Sequence, residues 1–197
     1  LEEGQEQPPA PGTDSIVIGL QTNATGARSI AIGQSTEVSK SWAVGVGYKV
    51  SAYGNNSNAF GHGAAANEEG SAFGYDAWAH GKYSTAIGTW TDAAGDNSTV
   101  VGYFSTADTD SIAIGNQATA GTVEYDDDGV LVELGTTQAI AIGSSATAKG
   151  FNSVVMGTEA EATAENSIAF GTEANASEKY AKAFGYQAKA SGLYANA

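Results

Sequence analysis

The chain has no cysteine, one methionine, three prolines and only five leucines among its 197 residues. Without cysteine, a disulfide framework, a cysteine-ligated zinc site and a cysteine nucleophile are all excluded. The shortage of leucine argues against an ordinary globular core and indicates a core of small and β-branched residues. Because no proline follows Pro11, β-ladders can run through the rest of the chain without interruption.

Positive charge is also scarce, with 8 Lys and Arg against 22 Asp and Glu and a net charge of −14. Nucleic acids, heparin-like polyanions and anionic membrane surfaces are bound through clustered positive charge. We therefore expect no nucleic-acid partner. No long apolar run predicts a transmembrane helix.

Glycine, in contrast, is abundant and regularly spaced. Twelve glycines each close a cluster of the form hydrophobic–small–hydrophobic–Gly, and 13 or 14 residues separate neighbours except for one doubled gap of 28. A fixed period of this kind is the sequence signature of a repeat architecture. These anchor glycines are Gly19, Gly33, Gly47, Gly61, Gly74, Gly88, Gly102, Gly115, Gly143, Gly157, Gly171 and Gly185.

Residue types alternate around each anchor glycine. The residue before it is always large and apolar, the residue two places before it is Ala, Val or Gly, and the residue five places after it is Ala or Val. This alternation predicts two short strands in each repeat, and the glycines suit turns with positive φ. We call the large apolar set the −1 column: Ile18, Ile32, Val46, Phe60, Phe73, Ile87, Val101, Ile114, Ile142, Met156, Phe170 and Phe184.

Fourteen residues in two short strands enclose only a thin interior, which the small residues fit. The −1 column then faces outward as a stripe of twelve apolar side chains, which a soluble monomer would not leave in water. Burial of each side chain contributes roughly 1.5–3 kcal/mol. The simplest partner is the same stripe on identical chains related by cyclic symmetry, so we predict a homo-oligomer with the −1 column at its centre.

Three repeats read Ser-Ile-Ala-Ile-Gly or Ser-Ile-Ala-Phe-Gly, at residues 29–33, 111–115 and 167–171, each followed by a small–x–small pair. They resemble the head repeats of trimeric autotransporter adhesins of the YadA type, and the resemblance covers about residues 14–197. It implies an all-β, left-handed parallel β-roll of about 14-residue coils, with three chains side by side around the −1 column as trimer core.

The same resemblance implies a function. Such heads lie at the tip of a surface fibre that is anchored in the outer membrane of a Gram-negative bacterium. They bind host matrix proteins, host-cell receptors or other bacteria, without a cofactor and without catalysis. We therefore expect this chain to be part of a longer protein and to act as a binding module.

The domain organisation has two departures from the repeat. Residues 1–13 are acidic and proline-bearing, which predicts a flexible lead-in to a head domain at 14–197. The doubled gap contains an Asp-Gly turn between β-prone runs, which predicts a hairpin insertion at about 122–136. This insertion is interpreted as a tolerated surface loop, as a recognition or trimer-bracing element, or as a calcium site in its Asp run, whose spacing is not that of an EF-hand.

Aromatic residues are concentrated between residues 42 and 104, which hold 11 of the 18 in the chain. Within this span, Tyr48, Tyr75 and Tyr103 directly follow anchor glycines and should stack in one column with His62. Exposed Tyr and Trp favour recognition, although aromatic side chains at turns also shield coil edges. The candidate ligand-binding residues are Tyr48, Tyr75, Trp78, Trp90 and Tyr103, together with Tyr125, Asp126, Asp127 and Asp128 of the insertion.

Nothing in the sequence indicates catalysis. His62 and His80 fall at different positions of the repeat and have no evident carboxylate or second histidine at metal-ligand spacing. The serine that recurs four places before the anchor glycine is explained by the fold. We predict an adhesin head; the alternatives are a purely structural segment of a bacterial or phage fibre, and a polysaccharide-cleaving fibre domain, which would need carboxylates aligned across a groove.

Overall fold

The computed structural model of the chain describes residues 10–125, 131–134 and 137–197. This part winds into twelve coils, and each coil contributes one strand to each of two parallel sheets. The strands of the first sheet are β1 (Ile16–Leu20), β3 (Ile30–Gln34), β5 (Val44–Tyr48), β7 (Asn58–His62), β9 (Ser71–Tyr75), β11 (Thr85–Thr89), β13 (Thr99–Tyr103), β15 (Ile112–Asn116), β19 (Ile140–Ile142), β21 (Val154–Met156), β23 (Ile168–Phe170) and β25 (Lys182–Phe184).

The second sheet is built from strands of only two residues, because the chain must turn back after each of them to close the coil. Its strands are β2 (Asn23–Ala24), β4 (Glu37–Val38), β6 (Ser51–Ala52), β8 (Ala65–Ala66), β10 (Trp78–Ala79), β12 (Asp92–Ala93), β14 (Thr106–Ala107), β16 (Thr119–Ala120), β20 (Thr147–Ala148), β22 (Glu161–Ala162), β24 (Asn175–Ala176) and β26 (Lys189–Ala190).

Equivalent positions of successive repeats pair directly with one another. Ile18 of β1 pairs with Ile32 of β3, and the register is kept across the doubled gap, where Ala113 of β15 pairs with Ala141 of β19. One sequence repeat therefore corresponds to one coil of the roll. The predicted all-β parallel roll with coils of about 14 residues is confirmed.

The interior between the two sheets is filled by the small residues of the repeat. Ala31, Ala59 and Ala86 of the first sheet and Ala24 and Ala66 of the second have no exposed surface. Within the described residues, the largest side chains that are fully buried are valines. An interior this thin has no room for leucine, which accounts for the shortage of leucine in the sequence.

The recurring serines close the turns that enter the first sheet. Ser29 donates its hydroxyl hydrogen bond to the carbonyl of Gly26 at 2.6 Å, and Ser57 donates to the carbonyl of Gly54 at 2.7 Å. Both hydroxyls are buried, and a buried hydroxyl without a hydrogen bond would destabilise the fold. The structural role predicted for this serine position is thereby confirmed for these coils.

The glycines require a correction. The anchor glycines have φ between 127° and 156°, as expected of residues without a side chain, but in the first eight coils they lie inside strands of the first sheet and not in turns. A Cβ on Gly33 would meet the carbonyl oxygen of Gly47 in the next coil. A second set of glycines recurs seven places after an anchor glycine, at Gly26, Gly54, Gly81, Gly95, Gly150 and Gly192. These glycines lack positive φ, and a Cβ on Gly26 would meet the backbone of Lys40 in the next coil.

Left-handed turn conformations fall instead on residues with side chains. Trp42, Trp90 and Phe104 have φ of 60°, 51° and 55°, and most coils carry two such residues. This conformation is uncommon for residues other than glycine, and here it recurs because the coil must reverse direction at both ends. The corners therefore project their side chains, aromatic ones included, away from the thin interior.

The insertion forms its own small element. β17 (Val123–Tyr125) and β18 (Leu131–Leu134) pair antiparallel. Both ends of the insertion are fixed to the roll: Gly121 donates its backbone N–H to the carbonyl of Ala148, and the carbonyl of Thr137 accepts from Asn152. The chain therefore leaves the roll and rejoins it at the same coil edge.

Along the described residues, no helix has the length and hydropathy that crossing a membrane would need.

Candidate functional site

The −1 column lies on the outer face of the first sheet. From β3 onward, the residue before each member of the column points inward and is buried, whereas Ile114, Met156 and Phe184 are 38%, 47% and 51% exposed in the single chain. Side chains of the column contact each other from coil to coil; Phe60 and Phe73 stack with ring centroids 5.0 Å apart. The outward orientation predicted for this column is confirmed, and its role as a trimer core stays a prediction.

A second surface is formed by the aromatic residues that follow the anchor glycines. His62 stacks on Tyr75 with ring centroids 4.6 Å apart, and Tyr48 lies 4.9 Å from His62 on the other side. The next coil has a threonine at this position, and Trp90 bridges the gap, 5.9 Å from both Tyr75 and Tyr103. The stacked column predicted for His62 and the tyrosines is therefore present, with Trp90 completing it.

Trp78 and Trp90, which the sequence places in different coils, meet in one cleft on the side of the second sheet. The cleft encloses about 480 Å³ and spans three successive coils. Tyr48, Tyr75 and Tyr103 do not line it. Its lining residues are Asp76, Trp78, Trp90, Thr91, Asp92 and Phe104.

The two carboxylates of the cleft are held by aromatic neighbours. The indole N–H of Trp90 donates to Asp76 Oδ2 at 3.2 Å. His80 Nδ1 lies 2.8 Å from Asp92 Oδ1, and the His80 ring packs edge-on against Trp78 with centroids 5.0 Å apart. This carboxylate partner of His80 was not evident from the sequence, because the contact runs diagonally between two positions of neighbouring coils.

Asp76, Thr91, Asp92 and Phe104 are the residues of this cleft that the sequence reasoning missed. A signal for two of them was present. In one coil, Asp76 lies two places after the anchor glycine and Trp78 four places after it. In the next coil the two residue types are exchanged, with Trp90 at the first of these positions and Asp92 at the second. This exchange of Asp and Trp between adjacent coils places each carboxylate beside the indole of the other coil.

A smaller hollow of about 320 Å³ lies on the opposite side of Trp78, between that indole, His80 and Tyr53. Trp78 therefore forms a wall between two adjoining depressions. Because Trp78 is 40% exposed, its ring is accessible from solvent on the outer surface of the second sheet.

The candidate ligand-binding residues of the insertion are Tyr125, Asp126, Asp127 and Asp128. Asp126, Asp127 and Asp128 lie outside the described residues, as does the side chain of Tyr125. The predictions of a recognition element and of a calcium site there remain predictions. In the described part of the chain, no group of three or more His, Asp or Glu residues is arranged to hold a metal ion.

A buried polar network supports the base of the hairpin. Asp108 is fully buried and accepts hydrogen bonds from the backbone of Thr109 and from the Thr137 hydroxyl, the latter at 3.4 Å. The Ser111 and Thr137 hydroxyls are 3.2 Å apart. Burial raises the pKa of Asp108, and the hydrogen bonds from Thr109, Thr122 and Thr137 oppose that rise.

The fold and its surfaces define a class of protein: a rod-like parallel β-roll with an apolar stripe along one sheet and aromatic residues on its outer surface. The chain belongs to the family described as YadA head domain repeat (2 copies), so it is a head domain of the adhesin type. The match extends over well more than half of the chain, at residues 10–36, 65–89, 93–118, 109–122, 137–160, 148–174 and 176–195.

Among solved structures, the collagen-binding domain of the Yersinia adhesin YadA is similar to this chain. Sequence identity is 25%, the similarity covers 89% of this chain and 83% of the Yersinia domain, and the TM-score is 0.46. A comparison with curated protein sequences finds no match.

Proposed function

We propose that this chain is the head of a homotrimeric adhesin on the bacterial surface, held to the outer membrane by an anchor outside the sequence. Its activity is binding, to a host matrix protein, a host-cell receptor or the same head on another bacterium. The observation that carries this proposal is the separation of two surfaces. A continuous apolar stripe follows the first sheet, and an acidic aromatic cleft opens on the side of the second.

The apolar stripe is suited to self-association. Twelve large side chains follow one another on a rod, and a row of this length in water favours a partner surface. An identical stripe supplies one in register, because all chains have the same coil spacing. Cyclic symmetry closes the assembly without leaving a free stripe, and a trimer is the form that the family resemblance implies.

The charge of the assembly limits the ligand. Three chains of net charge −14 each create a strongly negative field around the head, which repels polyanions and favours basic or neutral protein surfaces. We therefore expect a protein ligand contacted through the outer surface of the rod. We expect no retention on heparin at physiological salt.

A solid-phase binding assay tests the proposal. The recombinant trimer is applied to collagen, fibronectin, laminin and epithelial cells, to immobilised copies of itself, and to heparin as the negative control. Saturable, salt-sensitive binding to at least one protein or cell surface is the expected result. A folded trimer that binds none of them would instead support the structural spacer, and retention on heparin would contradict the charge argument.

A further inference from the structure

The cleft between Trp78 and Trp90 has a combination of groups that the adhesin fold does not require. Its walls are the two indoles and the ring of Phe104, which packs edge-on against Trp90 with centroids 5.2 Å apart. Its polar groups are the carboxylates of Asp76 and Asp92. Aromatic faces attract cations through the ring quadrupole, and carboxylates attract them by charge.

Both carboxylates are oriented before any ligand arrives. Asp76 is held by the indole N–H of Trp90 and Asp92 by His80, at 3.2 and 2.8 Å. Asp92 is nearly buried, with 9% of its surface exposed. A carboxylate has room for about four hydrogen bonds at its two oxygens, so the contact with Trp90 does not by itself use up the Asp76 carboxylate. Pre-orientation of this kind lowers the entropic cost of binding.

The cleft lies in the most cation-poor part of the chain. Between residues 50 and 148 there are twelve Asp and Glu residues but one lysine, Lys82, and no arginine. Lys82 is already occupied, with its ammonium group 4.8 Å from the Tyr83 ring centroid and 3.9 Å from Glu69. The local field therefore favours a positive ligand over a neutral or negative one.

Three other exposed aromatic residues of the head, Trp42, Tyr48 and Tyr83, carry a cation from their own chain. Arg28 lies 4.7 Å over Trp42, and Lys49 lies 5.4 Å from the Tyr48 ring centroid. Across residues 10–125 and 137–197, no lysine or arginine covers Trp78 or Trp90. These two indoles have carboxylates beside them, Asp76 at Trp90 and Asp92 at Trp78, and both kinds of group attract a cation.

We propose that this cleft binds an arginine side chain of the protein to which the head adheres. The inference rests on the proposed adhesin function and assigns it a contact site. A planar guanidinium stacks on an indole and hydrogen-bonds carboxylates at the same time, which an ammonium group does less well. The volume of about 480 Å³ lies in the usual range for sites that enclose a small ligand group.

The proposed trimer leaves this cleft accessible. Trp78 belongs to β10 and Asp92 to β12, both in the second sheet, whereas the −1 column lies on the outer face of the first sheet. Contacts along the −1 column therefore do not cover Trp78, whereas Trp90 lies at the corner after β11, beside Tyr75 and Tyr103. Three clefts per trimer would act together on a ligand with repeated arginines, which raises avidity without a new contact.

The test uses the intact trimer labelled with 5-fluorotryptophan, whose fluorine spectrum reports on each of the three tryptophans separately. The probe is N-acetyl-arginine methylamide, titrated against the neutral isostere N-acetyl-citrulline methylamide and against methyl glucoside. The expected result is a saturable shift of the Trp78 and Trp90 signals with the arginine probe alone. Trp42, already covered by Arg28, is the internal control, and single Trp→Phe variants assign the signals.

Charge-removing variants sharpen the test. Asp76→Asn keeps the size of the side chain and should weaken binding of the arginine probe by about tenfold or more, as expected for the loss of one hydrogen bond to a charged partner. Asp110→Asn removes an exposed carboxylate outside the cleft and should change the affinity by less than about twofold. Equal losses in the two variants would show non-specific attraction and would overturn the site.

Three further outcomes overturn the inference: no shift of Trp78 and Trp90, an equal response to citrulline, or a response to the glucoside in place of arginine. The last would identify a carbohydrate site. Because the titration is read on the trimer alone, it succeeds or fails independently of the adhesion panel. A trimer that adheres with an unresponsive cleft refutes this site and leaves the proposed function standing.

Discussion

At the residue scale, the anchor glycines carry the tightest constraint. Gly157 has φ of 153°, and a Cβ there would meet the backbone carbonyl of Gly171 in the next coil. Because adjacent coils are hydrogen-bonded through this region, neither backbone can move away without breaking the ladder. We expect Gly157→Val to lower the free energy of unfolding by on the order of 1–3 kcal/mol per chain from backbone strain alone, with the steric clash added to it.

A second variant separates strain from clash. Gly185 also has positive φ, at 127°, but nothing lies within 4 Å of a Cβ built on it. Gly185→Val should therefore add backbone strain without a steric clash. It should lower the free energy of unfolding less than Gly157→Val does. Thermal and denaturant unfolding measure both variants. An unchanged melting temperature for Gly157→Val would show that this glycine occupies an ordinary strand position.

Asp108 is the residue whose stability contribution should depend on pH. Its pKa is raised in the folded chain by burial, so the folded state binds the proton more tightly than the unfolded state does. Above the folded pKa, the buried carboxylate therefore costs stability. This cost disappears as the pH falls through the folded pKa towards the unfolded value.

We therefore expect Asp108→Asn to be more favourable at neutral than at acid pH. The melting temperature of the variant minus that of the unmodified chain should be more positive at pH 7 than at about pH 3.5, because only the unmodified chain gains stability on acidification. Any loss of hydrogen bonds to Thr109 or Thr137 that does not depend on pH is the same at both pH values. It therefore cancels when the two differences in melting temperature are compared. Asp110→Asn, an exposed acid in the same coil, is the control, and a pH dependence as large as that of Asp108→Asn would refute the assignment.

At the element scale, the hairpin of β17 and β18 is a branch from the roll. The coils before and after it pair directly, with Ala113 opposite Ala141, and a Cβ on Gly121 would meet the side chain of Thr137. The two ends of the insertion are therefore adjacent. Removal of residues 122–135 restores a spacing of 14 between the anchor glycines on either side.

Deletion of residues 122–135 should leave a folded trimer with little change in melting temperature. Loop-closure entropy changes slowly with loop length, and the hydrogen bonds of the flanking coils remain. Sedimentation and thermal unfolding measure the outcome. Loss of the trimer would identify the hairpin as a structural clamp. A stable trimer that no longer adheres would instead assign it to recognition.

At the scale of the whole molecule, the apolar stripe decides the state of assembly. Ile114 is 38% exposed in the single chain and lies midway along the stripe. Ile114→Asp would place one charge per chain at the centre of the proposed trimer, three in close proximity without partners. We expect dissociation to monomers or loss of folding, measured by analytical ultracentrifugation and circular dichroism.

Thr119→Asp is the matched control for this variant. It introduces the same charge into the same coil, but on β16 in the second sheet, where the proposed trimer has no contact along the −1 column. It should leave the sedimentation coefficient unchanged. If the unmodified chain sediments as a well-folded monomer, the stripe is not a trimer core and the central argument for assembly is wrong.

The sequence by itself determined the architecture, because every repeat has side chains of the same size at the same positions. Small residues at the buried positions limit the distance between the sheets, and the anchor glycines admit the carbonyl of the next coil. The large residue beside each of these glycines must face outward because the interior has no room for it. Because the pattern recurs in twelve repeats, the residue type required at each position can be distinguished from chance variation. The positions of Ala31, Ile32 and Gly33 are examples.

The tertiary structure decided which surface residues meet. Alignment of the repeats compares equivalent positions, so it revealed the column of Tyr48, His62 and Tyr75, which are vertical neighbours. It did not reveal the pair of His80 and Asp92, which occupy different positions of adjacent coils and meet diagonally at 2.8 Å. Such contacts depend on how far a side chain reaches towards a different position of the next coil, and that geometry exists only once the coils are stacked.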